Sequence, residues 1–277
     1  MTAYLSLFRL KVSLMVGLSA FAGACLSDSN LSADHLYAFL CALFLSMGCS
    51  ALNQFQERNE DALMKRTVKR PLPGAILTSK EVLQISALMI ALSACFMALT
   101  GSLSGFFIIA GVVAVYNLVY TPLKKVTPFA LLAGSVTGAV PPMLGYAALG
   151  GSLTNEKMLM LCALLYIWQT PHFAMLAERW ADDYKAAGFK TLSGTYGAEK
   201  SSLFINIWLL AYVCALFFIP LAAIYCEHVS KIIHMSAAAA TALLLLVFIR
   251  DSRKTFHILN LSMTFFFLLL VADRIIL

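Results

Sequence analysis

"HLYAFLCALFLSMGCSALNQFQERNED", residues 35–61, joins two chemically opposed kinds of chain. Residues 36–52 carry no charge and are almost wholly apolar. An amide (Asn53), three acids (Glu57, Glu60, Asp61) and the first of five bases (Arg58, Lys65, Arg66, Lys69, Arg70) follow at once. An apolar run of about 20 residues crosses a bilayer as a helix. Charges crowded at its end mark either a solvated loop or a site at the membrane surface.

Composition decides the class. Hydrophobic residues make up 61% of the 277 and charged residues 12%, against about 25% charged in soluble domains. A water-soluble core of this length has no room for so much apolar surface. Nine stretches are long enough to span: 9–27, 36–52, 82–100, 103–120, 128–148, 157–173, 203–226, 232–250 and 255–275. In lipid each must pair its own backbone groups, so each is a helix. The expected fold is an all-α polytopic membrane protein. It is a single domain over 1–277, with nine helices around a cavity that opens to the cytoplasm.

Of the 20 Lys and Arg, 17 fall on one side of this layout. Lys157, Lys231 and Arg274 fall on the other. The positive-inside bias then puts the N-terminus in the cytoplasm and the C-terminus outside. The net charge of +6 is accounted for by topology and calls for no nucleic acid. The first span reads as a retained helix rather than a signal peptide. The seven cysteines all fall in the apolar spans, with no C-x-x-C, and read as small hydrophobes.

Two loops are long, 53–81 after span two and 174–202 after span six. In the first, Asn53, Glu57 and Asp61 stand at i, i+4 and i+8. On a continuing helix they form one stripe, drifting about 40° per step. An amide and two carboxylates suit a hard cation, and Mg²⁺ takes one or two carboxylates and completes its shell with water and phosphate oxygens. Arg58, Arg66, Lys69 and Arg70 supply phosphate partners. Thr78 and Glu81 have capping-box spacing for the next helix.

The second loop begins in "WQTPHFAMLAERWADDYKAAG", 168–188. His172, Arg179 and Asp183 recur at i, i+7 and i+11, a spacing that predicts one helix face, with Asp182 beside them. "YNLVYTPLKK", 116–125, adds Tyr120, Lys124 and Lys125 to the same surface. Pro141 and Pro142 predict a kink in span five. Two facing acidic clusters repel unless cations lie between them, which points to a diphosphate ester clamped by Mg²⁺ with its apolar tail among the helices.

"NQFQERNEDALMKRTVKRPLP", "YTPLKK" and "WQTPHFAMLAERWADDYKAAG" together resemble the UbiA-type intramembrane prenyltransferases, and in the "PHF…DDYKAAG" form their haem-modifying branch. The similarity runs from span one through the loop after span six. It implies that farnesyl diphosphate alkylates a vinyl group of haem b, with Mg²⁺ as cofactor. By the resemblance Asn53, Glu57, Asp61, Asp182 and Asp183 hold the metal and diphosphate. Arg58, Arg66, Arg70, Lys124 and Arg179 contact phosphate, and Tyr120 lies at the substrate. His172, Arg179, Asp61 and Asp183 stand at the reacting centre. His172 faces the haem edge, either as an axial ligand or by orienting water. One departure is Asn59, where the haem branch usually carries an acid. The implied partners are the two substrates, the bilayer of a bacterial cytoplasmic (inner) membrane, and haem A synthase or oxidase assembly proteins. The competing expectations are a prenyltransferase acting on another aromatic acceptor, and a transporter. A transporter places its coupling acids near the midplane, whereas these acids gather at span ends.

Overall fold

The computed structural model describes residues 2–222 and 224–275. Among them, nine helices have the length and apolarity to cross a bilayer. They are α1 (Leu10–Ser27), α2 (Ala33–Gln56), α3 (Ser79–Thr100), α4 (Leu103–Leu123), α5 (Ala130–Ala148), α6 (Glu156–Arg179), α7 (Ala198–Leu221), α8 (His228–Phe248) and α9 (Ser252–Ile275). All regular structure among the described residues is helical, as backbone pairing in hydrocarbon demands. Phe107, Leu118 and Leu246 stand largely exposed on the outer faces, where lipid replaces a protein neighbour. The chain is an integral membrane protein.

Helices adjacent in sequence pack on one another, α9 closes the set against α1, and α1 also lies along the second half of α5. Two apolar cores result. One gathers Ala20, Ala24, Cys41, Leu45 and Leu144 from α1, α2 and α5. The other gathers Leu161, Leu165, Tyr212, Leu259 and Phe266 from α6, α7 and α9. Lipid tails are as apolar as leucine, so close van der Waals contact holds such helices together and small residues govern it. At the α1–α5 crossing a Cβ on Gly23 would lie 1.9 Å from the Pro142 carbonyl oxygen, and one on Gly145 1.8 Å from that of Ala20. Only hydrogen fits at either position.

Three local breaks interrupt the helices, the second and third of them at the end of the bundle that carries the long loops. First, α5 is two helices, Ala130–Ala139 and Pro141–Ala148, meeting at Val140. Pro141 and Pro142 have no N–H to continue the ladder, so the predicted kink is present. Second, α4 widens into a π-helix over Ala114–Tyr120, with the Thr121 N–H bonded to the Tyr116 carbonyl five residues back. Pro122 cannot donate to the preceding turn and its ring crowds the carbonyl four residues earlier, which a wider turn relieves. Third, α6 stops at Arg179, and a separate short helix, Ala181–Ala186, starts beyond Trp180. His172, Arg179 and Asp183 therefore do not share one helix face, contrary to the expectation from their spacing.

The break after α2 is gentler. Glu57 leaves helical geometry at φ −101°, ψ 15°, and a short helix, Arg58–Leu63, follows. Yet the Glu57 N–H still reaches the Asn53 carbonyl (2.9 Å) and the Asp61 N–H that of Glu57 (2.7 Å). The stripe of Asn53, Glu57 and Asp61 survives. Thr78 and Glu81 form the predicted capping box, with Glu81 N–H donating to Thr78 Oγ1 and Thr78 N–H to Glu81 Oε2. One expectation fails: α7 ends at Leu221, so Cys226 is exposed in the following connection rather than inside a span. Pro220 interrupts the helix there, and Asp273 on α9 accepts the N–H groups of Cys226 and Glu227.

Candidate active site

A cavity of about 950 Å³, counted to its open mouth, lies at the loop-bearing end of the bundle. Its wall includes the acids Glu57, Asp61 and Glu178 and the bases Arg9, Arg66, Arg70, Lys124 and Lys190. Tyr116, Tyr120 and Phe173 line it on the side toward the helices. Five bases against three acids leave an excess of positive charge, a cradle for an anion.

Each acid in the stripe has a base. Asp61, fully buried, accepts from Arg70 Nη1 at 2.8 Å through both carboxylate oxygens. Glu57 pairs with Lys124. Burial works against the charge on Lys124, but Glu57 and the surrounding tyrosines outweigh it and raise the ammonium's pKa. For Arg70, burial and then the neighbouring Arg9 win over Asp61 and lower it. Asn53 sits behind the wall, where its Oδ1 accepts from Arg9 (3.3 Å) and its Nδ2 donates to Thr121 Oγ1 (3.0 Å). The π-turn thus places Thr121 to hold Asn53, and Lys124 to meet Glu57, from one segment. Tyr120 stacks on Phe173 with centroids 6.2 Å apart, and Lys124 Nζ lies 4.8 Å from the Tyr120 ring centroid, a cation–π contact.

Of the expected site residues, Glu57, Asp61, Arg66, Arg70, Tyr120 and Lys124 line the cavity, and Asn53 lies directly behind it. Five stand elsewhere. Arg58 folds back onto the Phe55 carbonyl (2.8 Å). Arg179 is exposed, against Trp180. Asp182 is exposed. Asp183 is buried and accepts the backbone N–H groups of Lys65 and Arg66. His172 points toward α9, its ring 5.0 Å from those of Trp168 and Phe256 and its Nδ1 buried without a hydrogen-bond partner.

Sequence reasoning missed Arg9 and Lys190. Arg9 counted only toward topology, yet it takes the left-handed conformation (φ 44°) just before α1 and turns into the cavity. Neighbouring Tyr116 and Glu57 overcome the penalty of its burial and raise its pKa. A basic residue immediately before a span was the available signal. Lys190 arrives because its own N–H bonds to the Lys124 carbonyl (2.9 Å), which ties the second loop to the end of α4.

Among the described residues no three His, Cys, Asp or Glu converge to hold a metal. Two carboxylates one turn apart, with bases ready to take phosphate oxygens, nevertheless match what Mg²⁺ requires when phosphate and water complete its shell. The donor set fits that ion.

The all-helical membrane bundle thus carries, at one end, a cavity walled by paired acids and bases, a setting that suits an anionic ligand. The model of the UbiA prenyltransferase family matches residues 16–270, and the chain belongs to that family. Among relatives, a protoheme IX farnesyltransferase from Oleidesulfovibrio alaskensis is 36% identical over 98% of this chain and 96% of its own. One from Nitratidesulfovibrio vulgaris is 31% identical over 97% and 94%. Among solved structures, a UbiA homolog from Archaeoglobus fulgidus bound to DMAPP and Mg²⁺ superposes with a TM-score of 0.74. It is 18% identical and is covered over 99% of this chain and 100% of its own, a likeness of fold.

Proposed function

We propose that the chain transfers the farnesyl group of farnesyl diphosphate to a vinyl group of haem b, forming haem O. The observation that carries this is the cavity in which Glu57 and Asp61 face Arg9, Arg66, Arg70 and Lys124. Full-length identity to protoheme IX farnesyltransferases supports the choice of acceptor. Glu57 and Asp61, with Asn53 behind them, would hold Mg²⁺, which would supply charge stabilisation for the departing diphosphate.

The chain's own residues do the rest by exchanging partners. On binding, Lys124 and Arg70 turn from Glu57 and Asp61 to phosphate oxygens, joined by Arg66 and Arg9. Charge-assisted bonds of this kind are strongest when aimed at an oxyanion as it forms. The C1–O bond breaks and its electron pair leaves with diphosphate. Tyr116, Tyr120 and Phe173 give the allylic cation aromatic faces and exclude water from it. The vinyl group's electron pair then bonds to C1. Water captures the cation left beside the porphyrin and releases a proton, so a hydroxyethylfarnesyl chain results.

His172 lies one residue from Phe173, on the side of α6 toward α9, and we assign it to the acceptor's side of the reaction. The basic residues that cluster at the cavity end support a cytoplasmic mouth in a bacterial inner membrane, with the N-terminus inside. Haem A synthase or oxidase assembly proteins are the partners this product calls for.

The test is mass spectrometry of haem from membranes given haem b, farnesyl diphosphate and Mg²⁺. A haem heavier by one farnesyl group and one hydroxyl group is expected, absent with EDTA. Unchanged haem b from folded protein that binds farnesyl diphosphate would move the acceptor to another aromatic compound.

A further inference from the structure

The π stretch of α4 leaves one carbonyl without a partner of its own. In an α-helix the Asn117 carbonyl would take the Thr121 N–H, but that N–H is bonded to the Tyr116 carbonyl instead. The next residue is Pro122, which has no N–H to offer. A stranded carbonyl inside a span is costly unless a neighbouring helix supplies a donor.

Gln56, the last residue of α2, supplies it: its Nε2 donates to the Asn117 carbonyl oxygen at 2.9 Å. Asn117, fully buried, answers with its side chain. Its Nδ2 donates to Gln56 Oε1 (3.1 Å) and to the Cys49 carbonyl (3.2 Å), while its Oδ1 has no partner. Every bond this side chain makes therefore runs to α2, at two points about two turns apart. An amide donates only from nitrogen and accepts only at oxygen, so these partners fix the orientation of both side chains.

The same two helices carry the next rungs. Asn53 meets Thr121 (3.0 Å) and Glu57 meets Lys124, and Thr121 and Lys124 stand about one and two turns beyond Asn117. Neither Gln56 nor Asn117 lines the cavity. We infer that Gln56 and Asn117 are positioning residues, whose paired amides hold the π stretch against α2 and so bring Thr121 and Lys124 onto Asn53 and Glu57. The consequence for diphosphate rests on the function proposed above; the amide lock does not.

Gln56→Met keeps the length of the side chain and removes both its donor and its acceptor. Ser86→Ala is the matched control: it too deletes a buried bond to α2, from Ser86 Oγ to the Gly48 carbonyl (2.9 Å), but on the side toward α3. In hydrogen exchange on the full-length protein in detergent, Gln56→Met should speed the amides of 114–121 about tenfold, the size of one lost buried hydrogen bond. Ser86→Ala should leave them unchanged. The KM for farnesyl diphosphate should rise about tenfold in Gln56→Met with the KM for haem unchanged, a split that a general loss of stability does not produce. Wild type gives a reading free of any folding defect: 114–121 should exchange as slowly as 107–113, the regular turns of α4 before it. Unchanged exchange of 114–121 in Gln56→Met, wild-type exchange there about tenfold faster than in 107–113, or an equal rise in both KM values would overturn the lock. If wild type makes no farnesylated haem, the proposed function falls, and the exchange data still judge the lock.

Discussion

One guanidinium nitrogen of Arg70 lies 2.8 Å from both carboxylate oxygens of Asp61, and the pair is nearly sealed from solvent, at 11% and 0% side-chain exposure. Removing one member of a buried pair strands the other, a loss of about 3–5 kcal/mol, whereas replacing both by apolar groups is often neutral. Asp61→Ala should therefore both destabilise the protein and cut turnover by about 100-fold or more, as loss of a charge-stabilising group does. The double variant Asp61→Leu/Arg70→Met should recover the unfolding temperature without recovering haem product. Denaturation in detergent and product mass spectrometry read the two effects separately.

Substrate and metal should stabilise the fold only together. A ligand at 100 times its Kd adds about 2.7 kcal/mol. Farnesyl diphosphate with Mg²⁺ is expected to raise the unfolding temperature, and either alone much less. A full shift with EDTA present would remove the metal from the binding step.

With His172 proposed on the acceptor's side of the reaction, His172→Ala should raise KM for haem about tenfold and leave KM for farnesyl diphosphate unchanged. Steady-state kinetics with each substrate varied in turn would show it. An equal effect on both would place the ring at the diphosphate instead.

The α1–α5 crossing tolerates no side chain. Gly145→Val puts carbon into the Ala20 carbonyl, which lies 1.8 Å from the first added atom. Loss of folded, monodisperse protein on size exclusion is expected. Gly111→Ala, with open space around its Cβ, should be neutral or stabilise by up to about 1 kcal/mol through helix propensity.

Glu60 gives a modest pH dependence. Partial burial alone would raise its pKa, but the bond to Lys125, a backbone N–H and Lys125's charge hold it below the usual 4.5. A depressed folded value adds stability above the unfolded pKa and loses it as pH falls through the folded one. Wild type should therefore lose stability below about pH 4.5 faster than Glu60→Gln, measured by unfolding across pH 3 to 6.

The nine spans were legible because hydrocarbon thickness imposes length and apolarity on each helix, and little else competes. Asn53, Glu57 and Asp61 were legible because an i, i+4 ladder outlasts the break at Glu57. The second motif was harder to read. A helix projected from His172 to Asp183 ignores the stop at Trp180, which only tertiary packing reveals, and Asp183's backbone partners lie in a loop far away in sequence. Arg9 was hidden for a related reason. Its side chain enters the cavity through a left-handed residue, a conformation that an arginine does not announce. Cys226 was misplaced because the apolar run continues to it although the helix ends at Leu221.

The seven-residue π stretch in α4 amounts to one residue more than an α-helix would need over the same path, absorbed without breaking the rod. Everything beyond it is phased by that extra residue, about 100° of rotation in a helix of 3.6 residues per turn. Deleting a single residue from Ala114–Tyr120 would tighten the coil and keep α4 a membrane span, while swinging Thr121 and Lys124 off Asn53 and Glu57. The site is thus encoded partly as a count, and a one-residue change in chain length there would silence it while every residue of its wall remained in the sequence.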